Sequence, residues 1–153
     1  MNRSLHLGLI VILVLACSLP GSPQDKGNWR AASSTATAIT GDIAISDTKI
    51  AINFSGFTIA QIRRLEPAET SAAFDSDNSA GRSGILYRLN VPASKRFLHH
   101  NTLCGSEDTQ WMATYVAGRD LRVAFFSGSS APVFTIEALA NSSDLCGTFS
   151  YVR

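Results

Sequence analysis

The sequence predicts an all-β domain, an antiparallel sandwich or small barrel of about six to eight short strands with one disulfide. Three observations carry this expectation. Several short segments alternate apolar and polar residues with period two, turn-forming residues separate them at regular spacing, and no long segment keeps apolar residues at helical spacing.

ITGDIAIS and TKIAINF open the domain. In the second, Ile50, Ile52 and Phe54 share one face while Ala51, Asn53 and Ser55 share the other, the pattern of a half-buried strand. Ser55-Gly56 offers a turn. In FTIAQIRRL the apolar residues Ile59, Ile62 and Leu65 step by three, so a bulged strand competes with a short helix, and the neighbouring meander favours the strand. Glu66-Pro67 ends that element, because the residue before proline is pushed out of the helical region. Residues 66–84 then read as a long polar loop. ILYRLNV restores the alternation, with Ile85, Tyr87, Leu89 and Val91 on one face and Pro92 as the stop.

WMATYVAGRDLRVAFFSG is the clearest unit in the chain. Trp111, Ala113 and Tyr115 alternate on the way out and Leu121, Val123 and Phe125 on the way back. Ala117-Gly118-Arg119-Asp120 makes the reversal, giving a β-hairpin. VFTIEAL is a further strand candidate. LCGTFSYVR closes the chain with Phe149 and Tyr151 on one face. Antiparallel strands of this kind bury one face and wet the other.

Cys104 and Cys146 occupy the same local pattern, Leu-Cys-Gly, and are expected to pair. Their bridge would staple the last strand to the sheet, closing a loop of about 43 residues worth about 4 kcal/mol in the chain-entropy model. The third cysteine, Cys17, lies at the end of the apolar run Leu5–Ala16. That run is about 12 residues, short of the roughly 20 needed to cross a membrane, and Pro20, Gly21 and Pro23 prevent its extension. Preceded by Arg3, it reads as a signal peptide over residues 1–16.

Leu13-Val14-Leu15-Ala16-Cys17 resembles the bacterial lipobox, although Val14 stands where leucine is commonest. The resemblance implies lipidation of Cys17 and a protein anchored in the bacterial cell envelope, facing the periplasm. The alternative is cleavage before Cys17 by an ordinary signal peptidase and a soluble periplasmic or secreted product. An odd cysteine supports the anchor, since it leaves Cys104 and Cys146 as a pair in an oxidising compartment. Residues 17–38, rich in Ser, Gly, Pro, Ala and Thr, are expected to form a flexible tether, with Trp29 as its one misfit. Residues 39–153, roughly 115 of them, make one domain of common size.

The chain carries 13 basic and 12 acidic residues, and Arg3 is the only charged residue of the leader, so 12 of each remain. A neutral domain offers no electrostatic footprint for nucleic acid. The motifs of common catalytic sites are missing: there is no GxSxG elbow, phosphate loop, HExxH or CxxC, and no residue is assigned a catalytic or metal role. No cofactor is expected. A Ser/His/Asp arrangement assembled by the fold would leave no local motif, so a hydrolase stands third among the readings. His99 and His100 would point to opposite faces of a strand and suit one metal poorly. DSDNSAG, residues 75–81, is oxygen-rich but has Ala80 where a calcium loop turns on glycine and Leu86 where it needs glutamate. Asn53 and Asn141 begin sequons that matter only in a eukaryotic host.

The format of leader, lipobox, tether and one-disulfide β domain resembles that of the bacterial membrane-bound inhibitors of C-type lysozyme, and the domain is similar to other small exported bacterial β proteins. No inhibitory motif matches residue by residue. Two readings follow. The first is a non-catalytic envelope module that contacts a protein or glycan, with Phe74 and Arg82 of the long loop as contact anchors. The second is a binder of small apolar ligands, its barrel interior or mouth lined by Trp111, Tyr115 and Phe125.

Overall fold

The structure, a computed structural model, describes residues 24–77 and 83–153. Its eight strands are β1 (Gly27–Ala31), β2 (Ile43–Ile45), β3 (Lys49–Ile52), β4 (Ser55–Arg64), β5 (Ile85–Val91), β6 (Thr109–Ala117), β7 (Asp120–Phe126) and β8 (Leu145–Val152). Every strand pairs antiparallel with its sequence neighbours, and β1 closes the ring against β8. Of the two architectures the sequence left open, the closed up-and-down barrel is the one that forms. Closure removes the free sheet edges that a sandwich would have to protect.

The expected start of the domain is corrected. Gly27–Ala31 is a barrel strand: Gly27–Trp29 pair with β2, and Arg30 and Ala31 pair with Val152 and Tyr151. Trp29 is the reason, because its ring lies in the core at 1% exposure and its Nε1 donates to the Asp25 carbonyl at 2.8 Å. The short helix α1 (Ser34–Ile39), capped by Ser33, joins β1 to β2 and places Ala36 in the interior cluster. The misfit aromatic therefore locates the first strand, and residues 27–38 do not belong to a tether.

Two further elements are helices where loop or strand was expected. Residues 67–74 form α2 (Pro67–Phe74). Pro67 sits in the first turn, where its missing N–H costs nothing, and the Glu66 amide donates to Glu69 Oε2 at 2.8 Å. Arg63 forks onto both oxygens of Glu69, at 2.7 and 2.9 Å. Residues 136–140, inside the VFTIEAL segment, form α3 (Ile136–Ala140), whose Thr135 cap accepts from the Ala138 amide at 3.1 Å. The FTIAQIRRL segment is a strand with a bulge between Gln61 and Arg63, and its three apolar residues share no face: Ile59 packs inside the barrel, Ile62 is exposed and Leu65 packs in the outer cluster.

Ladder partners separate the two faces of the wall. Met112 opposes Phe125 and Val116 opposes Leu121 inside the barrel, together with Trp29, Ile43, Ile50, Tyr87, Phe149 and Tyr151. Trp111 opposes Phe126 and Ala113 opposes Ala124 on the outside. That outer face of β5, β6 and β7 is covered by Phe74 of α2 and by Leu139 of α3 with Phe134 beside it. These strands are thus buried on both sides, so the one-face-wet expectation fails for this half of the barrel. The Cys104–Cys146 disulfide forms, with a Cα–Cα distance of 4.9 Å.

Candidate functional site

Three of the expected contact and ligand residues, Phe74, Trp111 and Tyr115, are placed elsewhere than their roles require. Phe74 is buried at 4% exposure and stacks on Tyr115 at 5.8 Å between ring centroids, so it is no surface anchor. Trp111 and Tyr115 lie outside the barrel wall beneath the helices, not in a ligand-lined interior, and Trp111 stacks with Arg88 at 4.8 Å. Phe125 does face the interior, where it packs edge-to-face on Phe149. Arg82 and Cys17 lie outside the described residues. His99 and His100 are exposed and follow Leu98 in a single short turn. Among the described residues no group of three or more His, Cys, Asp or Glu side chains could hold a metal ion.

The barrel interior holds a hydroxyl pair, Thr40 Oγ1 and Tyr151 at 2.7 Å, and one larger polar cluster among the described residues. Asp25, at 2% exposure, accepts through Oδ2 from the Tyr87 hydroxyl and from Thr114 Oγ1, both at 2.7 Å. Lys26 Nζ donates to the Tyr87 hydroxyl at 3.0 Å and to the Ser46 carbonyl at 3.1 Å. Burial, reinforced by the hydrogen bond to Asp25, raises the Tyr87 pKa far above the ordinary tyrosine value. Asp25 Oδ1 has no partner among the described residues. The cluster pins the segment before β1 to β5 and β6. Its work is structural, because Asp25 Oδ2, Tyr87 and Thr114 hold one another inside the core and Lys26 closes over them from the half-buried side.

The outer face of β1, β2 and β3 is different, for among the described residues no α-helix packs over it. A groove of about 800 Å³ lies there. Ala44 and Ala51, ladder partners, line it, because Ile43, Ile45, Ile50 and Ile52 on either side of them point inward. Leu98 and Phe54 contribute the larger apolar surfaces, and Arg30, Asp42 and Arg153 the charges. Leu98 fits because residue 41 is glycine: a Cβ there would stand 3.1 Å from Leu98 Cδ1, and Gly41 has φ +60°.

Backbone strain gathers around this groove. Ile52 and Ser55 are ladder partners, so the β3–β4 turn consists of Asn53 and Phe54, not Ser55-Gly56 as the sequence suggested. Both have positive φ, 45° and 64°. Such a two-residue turn favours asparagine followed by glycine; here phenylalanine takes the glycine position and stands fully exposed among the described residues. His99 and His100, immediately after Leu98, also have positive φ, at 52° and 62°. Among the described residues, four of the five non-glycine residues with positive φ therefore flank the groove, the fifth being Asp75 at the end of α2. Left-handed backbone costs roughly 1–2 kcal/mol for a residue with a side chain, and such strain collects at working sites. The available signal in the sequence was Asn53-Phe54 between two alternating runs.

Fold and groove together define a closed up-and-down barrel with a side-chain-filled interior and a concave apolar face on its outside. No family model, no curated protein and no solved structure matches the chain.

Proposed function

We propose that this protein is a non-catalytic binding module of the bacterial cell envelope, anchored through lipid on Cys17, that works by contact with a macromolecule. The contact face is the outer surface of β1, β2 and β3, and Phe54 is its anchor. One observation carries this reading. A fully exposed phenylalanine occupies a left-handed turn position where glycine would be easier, directly beside an apolar groove. Both departures from local preference are costly in isolation, and both are met if a partner buries the ring.

The competing reading of a small ligand inside the barrel is disfavoured, because Trp29, Tyr87, Met112, Phe125, Phe149 and Tyr151 occupy that space. The disulfide agrees with an exported protein. With β1 beginning at Gly27, the residues between Cys17 and the barrel span at most about 30 Å when extended, so an anchored barrel works close to the lipid surface.

The test is a photo-crosslinking amino acid placed at position 54 in living cells, with position 62 as control, since Ile62 is also exposed but lies away from the groove. A discrete macromolecular adduct from position 54 alone is expected. Identical adduct patterns from both positions, or none from position 54, would sink the reading.

A further inference from the structure

The groove has a chemistry that narrows what it takes from its partner. We infer that it binds a single acyl chain ending in an anionic group, a carboxylate or phosphate. This rests on the groove being the contact face. Its floor, Ala44 and Ala51, offers methyl groups, and the polar side chains nearest it are Asn28, the ladder partner of Ala44, and Asn53 in the β3–β4 turn. The strands beneath have spent their backbone groups on the closed ladder, leaving no edge for a peptide to pair with. A peptide laid along this floor would strip water from a row of its own amides with only Asn28 and Asn53 to replace those bonds, which is costly. An acyl chain has no such groups to satisfy and gains from every methylene it buries.

Charge at the groove fixes the other end of the ligand. Arg30 is exposed, and its guanidinium has no hydrogen-bond or ion-pair partner among the described residues. Arg153 adds a second guanidinium, held by stacking on Trp29 and by a bond to the Lys26 carbonyl, neither of which neutralises it. Asp42 is the one carboxylate side chain among the described residues that line the groove with these two, and its Oδ1 accepts from the Ala31 amide at 2.9 Å. A planar guanidinium free of partners suits a carboxylate or phosphate through paired hydrogen bonds. The volume, about 800 Å³, is within the range of pockets that hold one small amphiphile.

The experiment titrates the intact protein with dodecanoate, dodecyl phosphate and dodecyltrimethylammonium, each below its micelle concentration, and follows backbone amide shifts by NMR. Saturable one-to-one binding of both anions is expected, with shifts centred on Ala44, Ala51, Phe54 and Leu98. The cationic chain should bind at least tenfold more weakly. Arg30→Gln should weaken both anions roughly tenfold, as the loss of one charged hydrogen-bonding partner does. Ala51→Trp, or Ala44→Trp should the first not fold, should abolish binding by filling the floor. Equal affinity for all three head groups, shifts elsewhere on the barrel, or undiminished binding by a folded tryptophan variant would overturn the inference. So would binding only to phosphatidylglycerol vesicles and not to monomeric chains. The two readings fail separately: a position-54 adduct without dodecanoate binding removes the acyl chain and keeps the macromolecular contact, and binding without an adduct does the reverse.

Discussion

The guanidinium of Arg153 lies 4.4 Å from the centre of the Trp29 ring, so the residue that follows the last strand covers the aromatic that anchors the first. Arg30 and Ala31 pair with Val152 and Tyr151 beside it. Barrel closure is concentrated at this point, with the Trp29 indole N–H tied to the Asp25 carbonyl beneath the stack.

Trp29→Ala is therefore expected to destabilise the barrel by about 3–5 kcal/mol, the cost of emptying a large core site. Arg153→Ala, which removes a partly exposed cation–π contact, should cost only about 0.5–1 kcal/mol. Urea denaturation of both variants checks the ranking. Equal costs would mean that Trp29 is not a core residue.

Reduction is the second test of the architecture. The Cys104–Cys146 bridge spans 42 residues of chain and ties β8 to the segment before β6. Its removal by the double change to serine should cost about 4 kcal/mol in the chain-entropy account. The folded wild type, alkylated without reductant, should take up no label at either position by intact mass.

Alkali should unfold this protein in a directed way. Burial raises the pKa of both Tyr87 and Tyr151 above the ordinary 10.0, with the hydrogen bond to Asp25 adding to the shift of Tyr87. The folded state thus holds these protons when the unfolded chain has lost them. Stability is intact below pH 10 and falls as the pH rises above it. Denaturation midpoints measured across roughly pH 9–11 should decline, and less steeply in Tyr151→Phe. A flat profile, or the same slope in the variant, contradicts this.

The anchor has its own test. Cys17→Ser should move the protein from the membrane fraction to the soluble periplasm in a bacterial host. A wild type already soluble, or a variant still membrane-bound, rules the lipid out.

Much of this structure is written in local pattern. Period-two alternation marks β8, because a strand that buries one face must place apolar residues at every second position, whereas β6 and the second half of β7, buried on both faces, read as near-continuous apolar runs around a clear turn. The pairing of Cys104 with Cys146 was readable from cysteine parity and the expected signal segment. Glu66-Pro67 does end β4, which stops at Arg64, but the same proline also opens α2, a start that Glu69 three residues after Glu66 makes legible.

What only the tertiary structure decided is which face of each element meets what. Trp29 looks like a stray aromatic in a polar stretch until β8 arrives beside it from the far end of the chain. Phe74 and Phe54 are both phenylalanines beside polar residues, yet one is buried under α2 against Tyr115 and the other stands free in solvent. The groove joins residues from β1, β2, the β3–β4 turn, the Leu98 turn and the end of β8, far apart in the chain. Alternation along a strand reports a difference between two faces but not their surroundings, and those are set by barrel closure and by where the helices come to rest.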